Sequence, residues 1–226
     1  MGNKKRKNSN YNTPKKMEEQ ARAALTQEQK DKRKNIIIYS ILGALALFTV
    51  VVITLLALPK TYYVEMDFGE YGTIVVELDD EQAPITVKNF RKLVKDGFYD
   101  GLTIFRAQKG FVIQGGKNED INLTPIVGEF SSNGYENNIS HLKGVISMAR
   151  TNAPNSATSQ FFIVLDDKAK TSLDGRYAGF GKVIEGMDVV DKIAAALYDY
   201  AVDSMGFVDD EHAITIVKAR AFTRFK

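Results

Sequence analysis

The stretch FRAQKGFVIQGG at residues 105–116 says more about this chain than any other. Residues 103–106 and 111–114 are short runs rich in β-branched and aromatic side chains, so they read as neighbouring strands. They carry one guanidinium (Arg106), one carboxamide (Gln114) and one large apolar ring (Phe111). Working outward, Val64, Met66 and Phe68 alternate with Glu65 and Asp67, and after GEYG at 69–72 a second β-rich run covers 73–78, which predicts a hairpin. Pro84 then opens a helix with Val87, Phe90, Leu93 and Val94 on one face, Lys88, Arg91, Lys92 and Lys95 elsewhere, and Gly97 at its end. A second helix is expected over 187–197, where Val190, Ile193, Ala194 and Leu197 fall at helical spacing. Further runs at 144–148, 161–165, 179–183 and 213–220 bring the count to eight short strands. A mainly β chain of this kind predicts a closed eight-stranded antiparallel β-barrel capped by two helices, because closure removes exposed strand edges.

Charge is divided sharply along the 226 residues. Residues 1–35 hold 11 Lys and Arg against 4 Asp and Glu, a net +7; residues 36–58 hold none; the remainder holds 19 against 24, a net −5. The pI of about 8.5 therefore describes no part of the molecule, and it argues for no nucleic-acid partner. The 23 uncharged residues 36–58 reach roughly 34 Å as a helix, enough to cross a hydrocarbon core of about 30 Å. A buried core helix would show a polar face, and a cleaved secretory signal would have a shorter apolar region ending in a small-x-small site. Neither fits, and LALP at 56–59 is a poor cleavage site. The expectation is one transmembrane signal anchor, with Lys30, Lys32, Arg33 and Lys34 holding the N-terminus in the cytoplasm and the folded domain outside the cytoplasmic membrane. Three regions follow: a basic cytoplasmic tail at 1–35, the anchor at 36–58, and a globular domain at 59–226. Without cysteine there is no disulfide, lipoprotein anchor or thiolate metal site. Met1-Gly2 does not start a myristoylation signal, since the sixth residue is Arg6.

The opening stretch is followed by SMAR at 147–150, SQFFI at 159–163 and LDGRYAGFGKV at 173–183. In that order and spacing the four blocks resemble the cyclophilin family of peptidyl-prolyl cis–trans isomerases, over roughly residues 62–225, and look most like its compact bacterial members. The resemblance implies the family's barrel, action on proline-containing polypeptides without metal or cofactor, and a monomeric catalytic domain. It makes Arg106 the catalytic hydrogen-bond donor and Gln114 the glutamine that binds the substrate carbonyl and positions the arginine. Phe111, Val112, Phe162 and Leu173 match the apolar proline pocket; composition alone would make them plain core residues. Ala149 and Arg150 match the strand that pairs with the substrate backbone, Gln160 a site-lining glutamine, and Tyr177 a pocket position where many eukaryotic members have histidine. Ser172 stands where tryptophan or another aromatic is usual, and Lys117 where aspartate is common. His141 and His212 lie in no Ser, Cys or zinc motif, and Asp209-Asp210-Glu211 reads as a solvated turn. The expected role is assistance to the folding of exported proteins; the alternative is a proline-peptide binding or assembly module with incidental turnover.

Overall fold

Pro14 begins α1 (Pro14–Ala57), a position where its fixed φ and missing N–H cost nothing. The helix runs unbroken for 44 residues, so the polar and apolar halves of the N-terminal region form one rod, about 66 Å long at 1.5 Å per residue. The computed structural model describes residues 14–57 and 60–225. The first part of the basic tail and the end of the expected anchor at residue 58 lie outside the described residues. Ion pairs one turn apart support the polar half, Glu18 with Arg22 at 3.3 Å and Glu28 with Lys32 at 2.8 Å. The apolar half is long and apolar enough to cross a membrane, and Ile36, Leu47 and Phe48 are each more than half exposed, unlike side chains of a core helix.

The chain divides into two compact units, Met1–Leu58 and Pro59–Lys226. The second opens with the expected hairpin, β1 (Lys60–Asp67) and β2 (Thr73–Leu78), followed by α2 (Pro84–Lys95). Then come β3 (Thr103–Gln108), β4 (Val112–Gly115), β5 (Val145–Met148), β6 (Phe161–Val164), a one-turn helix α3 (Lys170–Leu173), β7 (Gly179–Glu185), α4 (Met187–Tyr198), β8 (Ile214–Thr215) and β9 (Lys218–Phe225). Every ladder is antiparallel, in the order β8-β3-β4-β6-β5-β7-β2-β1-β9.

The expected single strand at 213–220 is split in two, because consecutive amides turn to opposite ends of the sheet. Ile216 N–H donates to Leu102 O at 2.7 Å and Val217 N–H to Asp67 O at 2.8 Å. The strands that end the ladder are thus only two residues apart in sequence, which forces the sheet to curl. The expectation of an eight-stranded closed barrel is corrected accordingly: nine strands form one curled antiparallel sheet, and no ladder joins β8 to β9 among the described residues. α2 packs against β9 and α4 against β2 and β3, with the expected apolar faces inward.

Two apolar clusters lie on the two sides of the sheet. The larger is centred on Phe90, whose ring meets those of Tyr99, Phe161 and Phe180 at centroid distances of 5.1, 5.8 and 4.9 Å. The smaller gathers Val112, Val145, Phe162, Val164, Ala169 and Leu173 beneath α3. Strands β5 and β6 are buried on both faces and so lose the alternation of a half-buried strand.

The start of α2 has no cap of its own, since Ala83 stands at the N-cap. Glu129, 2% exposed, supplies one from a distant loop: its carboxylate accepts from Ile85 N–H at 2.9 Å, Thr86 N–H at 2.7 Å and the Thr86 hydroxyl at 2.7 Å. A buried carboxylate is favourable there because the helix N-terminus presents unpaired N–H groups and a positive dipole end. Glu129→Ala should destabilise the fold by about 2 to 4 kcal/mol, since buried donors lose their partner, and Glu129→Gln by less. Equilibrium urea unfolding checks the order; an unchanged midpoint in both variants would show that the cap carries no weight.

Candidate functional site

A row of cross-strand partners builds the site. Arg106 on β3 lies opposite Gln114 on β4, Gln114 opposite Phe162 on β6, and Phe162 opposite Ser147 on β5, so their side chains emerge on one face of the sheet. Between Ile104 and Arg106 the β3 register shifts by one residue, a bulge that sets the strand's inward residues Ile104 and Ala107 apart from its outward Arg106 and Gln108. Glycines complete the turn out of β4: a Cβ on Gly116 would lie 2.8 Å from the Tyr99 ring, and its φ of +79° is one that side chains rarely adopt.

Arg106 is held by all three of its nitrogens. Nη1 donates to Gln114 Oε1 at 2.9 Å, Nη2 to Gln108 Oε1 at 2.6 Å and Nε to the Met205 carbonyl at 2.8 Å. A guanidinium has five N–H donors, so two remain, one on each Nη. Gln114 Nε2 in turn donates to Gln160 Oε1 at 3.0 Å. Burial lowers the pKa of Arg106 from its ordinary value, and the nearby Asp203 and Tyr177 oppose that shift. An arginine remains charged across the working range.

Arg106, Gln114, Phe111, Val112, Ala149, Arg150, Phe162, Leu173 and Tyr177 line one cavity of about 220 Å³. Gln160 does not line it, and stands behind Gln114 on the wall of a neighbouring depression. Other depressions are larger, including one of about 580 Å³, but here a cation, a carboxamide and an apolar wall converge. Phe162 and Tyr177 meet edge to face at 5.5 Å, and the Arg150 guanidinium sits 4.8 Å from the Tyr177 ring and 5.0 Å from Phe130. Arg150 also donates to the carbonyls of Thr151 and Arg176, and the Ala149 N–H is engaged by Gln160 O at 2.9 Å. Ser172 is exposed and turns its hydroxyl back to Ala169 O at 3.1 Å.

Sequence reasoning missed Phe207, which also lines the cavity, and the loop that carries it. Asp203 Oδ1 accepts from Met205 N–H and Phe207 N–H, and the loop bonds to β3 through Ala107 N–H to Gly206 O at 2.8 Å. A Cβ on Gly206 would lie 2.2 Å from Ala107 O, so only glycine permits that approach. The Asp-x-x-Gly turn signal is visible in the sequence, whereas its docking a hundred residues away on β3 is not.

Beneath the pocket, His141 stacks on Phe162, with ring centroids 6.1 Å apart. Its Nδ1 lies 2.8 Å from Asp174 Oδ1 and its Nε2 3.0 Å from Ser147 Oγ. The connectivity is that of a hydrolytic triad. Ser147 is 0% exposed and His141 1%, so no substrate reaches the hydroxyl and the trio is structural.

The family model described as cyclophilin type peptidyl-prolyl cis-trans isomerase/CLD matches residues 63–220. A peptidyl-prolyl cis-trans isomerase of Acinetobacter baylyi is 45% identical over 131 residues, covering 54% of this chain and 67% of that protein. Peptidyl-prolyl cis-trans isomerase B of Escherichia coli is 40% identical over 129 residues, covering 54% of this chain and 79% of its own length. The chain spans about two thirds of the first of these relatives. A crystal structure of a Cryptosporidium parvum cyclophilin type isomerase is similar with a TM-score of 0.59 at 25% identity, covering 72% of this chain and 98% of that one.

Burial lowers the pKa of His141 from its ordinary value, against the pull of Asp174. The Asp174 carboxyl is also lowered: burial acts to raise it, but hydrogen bonds from the His141 backbone, Ser140 and the His141 ring outweigh that. With the folded pKa of His141 below the unfolded value of about 6.5, the unfolded chain binds more protons in between, so stability is full above that value and declines as pH falls through it. The melting temperature should therefore drop below about pH 6.5, and His141→Gln, which takes up no proton, should flatten the decline. Equal decline in both proteins would assign the effect to another group.

Proposed function

The chain belongs to the cyclophilin-type peptidyl-prolyl cis–trans isomerases, and we propose that the Arg106 pocket isomerises Xaa-Pro bonds of exported polypeptides at the outer side of the cytoplasmic membrane. An Xaa-Pro amide is held planar by resonance with a barrier of about 18 to 20 kcal/mol, and uncatalysed isomerisation takes tens to hundreds of seconds. The prolyl nitrogen gains a usable lone pair only as the bond twists. A donor aimed at that nitrogen therefore binds the transition state in preference to the ground state. The two uncommitted N–H groups of Arg106 are the observation that carries the proposal, since they suit the prolyl nitrogen and the neighbouring carbonyl. Gln114, Gln108 and Met205 O fix the fork beforehand, so little reorganisation accompanies the twist. The proline ring rests among Phe111, Val112, Phe162 and Leu173, with Phe207 and Tyr177 at the rim. No nucleophile, proton transfer or metal enters this scheme.

The location is supported by the apolar stretch of α1 and by the +7 of residues 1–35, which favours a cytoplasmic N-terminus. In this reading residues 1–35 are the cytoplasmic tail, 36–58 the signal anchor, and 59–226 the isomerase domain.

One charge-assisted hydrogen bond of about 1.5 to 3 kcal/mol corresponds to roughly 10 to 100-fold in rate. Arg106→Ala should lower kcat/KM on an Ala-Pro peptide at least tenfold, measured by exchange spectroscopy, with the circular dichroism spectrum unchanged. Near-full activity would move the site away from Arg106; retained peptide binding without interconversion in the unmodified chain would favour a binding module. Added protease should reach the folded domain in protoplasts and spare the tail. Recovery of the domain as a soluble fragment beginning near residue 59 would overturn the anchor.

A further inference from the structure

Away from the pocket, a groove of about 490 Å³ lies between α2 and β1. Lys88, Arg91, Lys92 and Lys95 line it from α2, and Tyr62 from β1. Spacings of three, four and seven residues place these cations together, where like charges one turn apart repel. Two acids, Asp80 and Asp96, also line it, and Asp96 is paired with Lys92. Lys88 and Lys95 have no ion-pair partner among the described residues. Lys92 and Lys95 complement the negative C-terminal end of the helix dipole; Lys88, in the middle of the helix, does not.

Arg91 is the telling member. Its guanidinium carbon lies 3.5 Å from the centre of the Tyr62 ring, and it makes no hydrogen bond among the described residues, although its Nε is buried. A stacked guanidinium with its fork unused, flanked by lysines, has the donor geometry for a phosphate group, which arginine binds through two parallel N–H bonds while lysines add point charges. Tyr62 stands four residues after Leu58, a contour of about 14 Å at most. If residues 36–58 span the bilayer, as proposed above, the groove stays within reach of its surface.

We propose that this α2–β1 groove binds the phosphate of an anionic phospholipid headgroup and so seats the isomerase domain on the membrane. The proposal rests on the anchor reading, and its test separates the two. The chain has no cysteine, so Ile85→Cys, on an exposed residue of α2 one turn before Lys88, takes a single fluorophore. The labelled full chain is reconstituted in nanodiscs of phosphatidylcholine, with or without phosphatidylglycerol, each doped with a headgroup-labelled quencher. Quenching should be about twofold stronger with phosphatidylglycerol and fall back at high salt, as expected for an electrostatic contact. Lys88→Glu with Lys95→Glu should abolish the difference while leaving turnover of a short Ala-Pro peptide unchanged. Equal quenching in the two lipids, or a difference that survives both charge reversals, overturns the proposal. Failure of the chain to enter the discs is read first, by flotation, and would overturn the anchor and the headgroup site together.

Discussion

The site depends on register. Arg106, Gln114, Phe162 and Ser147 are successive partners across β3, β4, β6 and β5, so a single alignment of four strands places the cation, the carboxamide and the pocket wall. A slip of one residue on β4 would turn Gln114 and Val112 into the main core and Ile113 out of it. The cost of that slip protects the geometry: Ile113 is fully buried in the large cluster, and exposing such a side chain costs about 1.5 to 3 kcal/mol. The packing of the interior thereby fixes the geometry of the candidate site on the opposite face.

A half-buried guanidinium is expensive unless its donors are used. Three acceptors offset that cost for Arg106, and each comes from a different source: the neighbouring strand, the same strand and the 203–207 loop. The Phe207 ring lies 5.2 Å from the Arg106 guanidinium and stacks on Phe105, so the loop both grips the cation and walls the pocket. Docking of this loop on β3 is part of the site's construction.

Much of this was legible in the sequence, and the reasons differ by residue. The hairpin and helices α2 and α4 follow from local periodicity, which is short-range and survives without a structure. The split of the last strand does not, because what divides Ile216 from Val217 is the choice of partner, Leu102 or Asp67, and periodicity carries no partner. Val112, Phe162 and Leu173 looked like core residues for a physical reason: they do belong to an apolar cluster, the smaller one, and the pocket is its open end. Phe207 was missed because its role arises from a contact across a hundred residues. The continuity of α1 through the boundary between residues 35 and 36 was also hidden, since the change in polarity there is abrupt while helix propensity is not.

Two clusters of polar side chains lie within a few ångströms of Phe162, and burial decides what each does. Ser147, His141 and Asp174 have the distances of a nucleophile, a base and an orienting carboxylate, yet the hydroxyl is fully buried and the histidine is held towards its neutral form. Its hydrogen bonds join Ser147 on β5 to Asp174, the residue after Leu173 of the pocket wall. Arg106 and Gln114 sit on the open side of the same ring with two donors to spare. In the proposed reading an amide entering there meets a charged donor and apolar walls, while the Ser147 hydroxyl stays buried out of its reach.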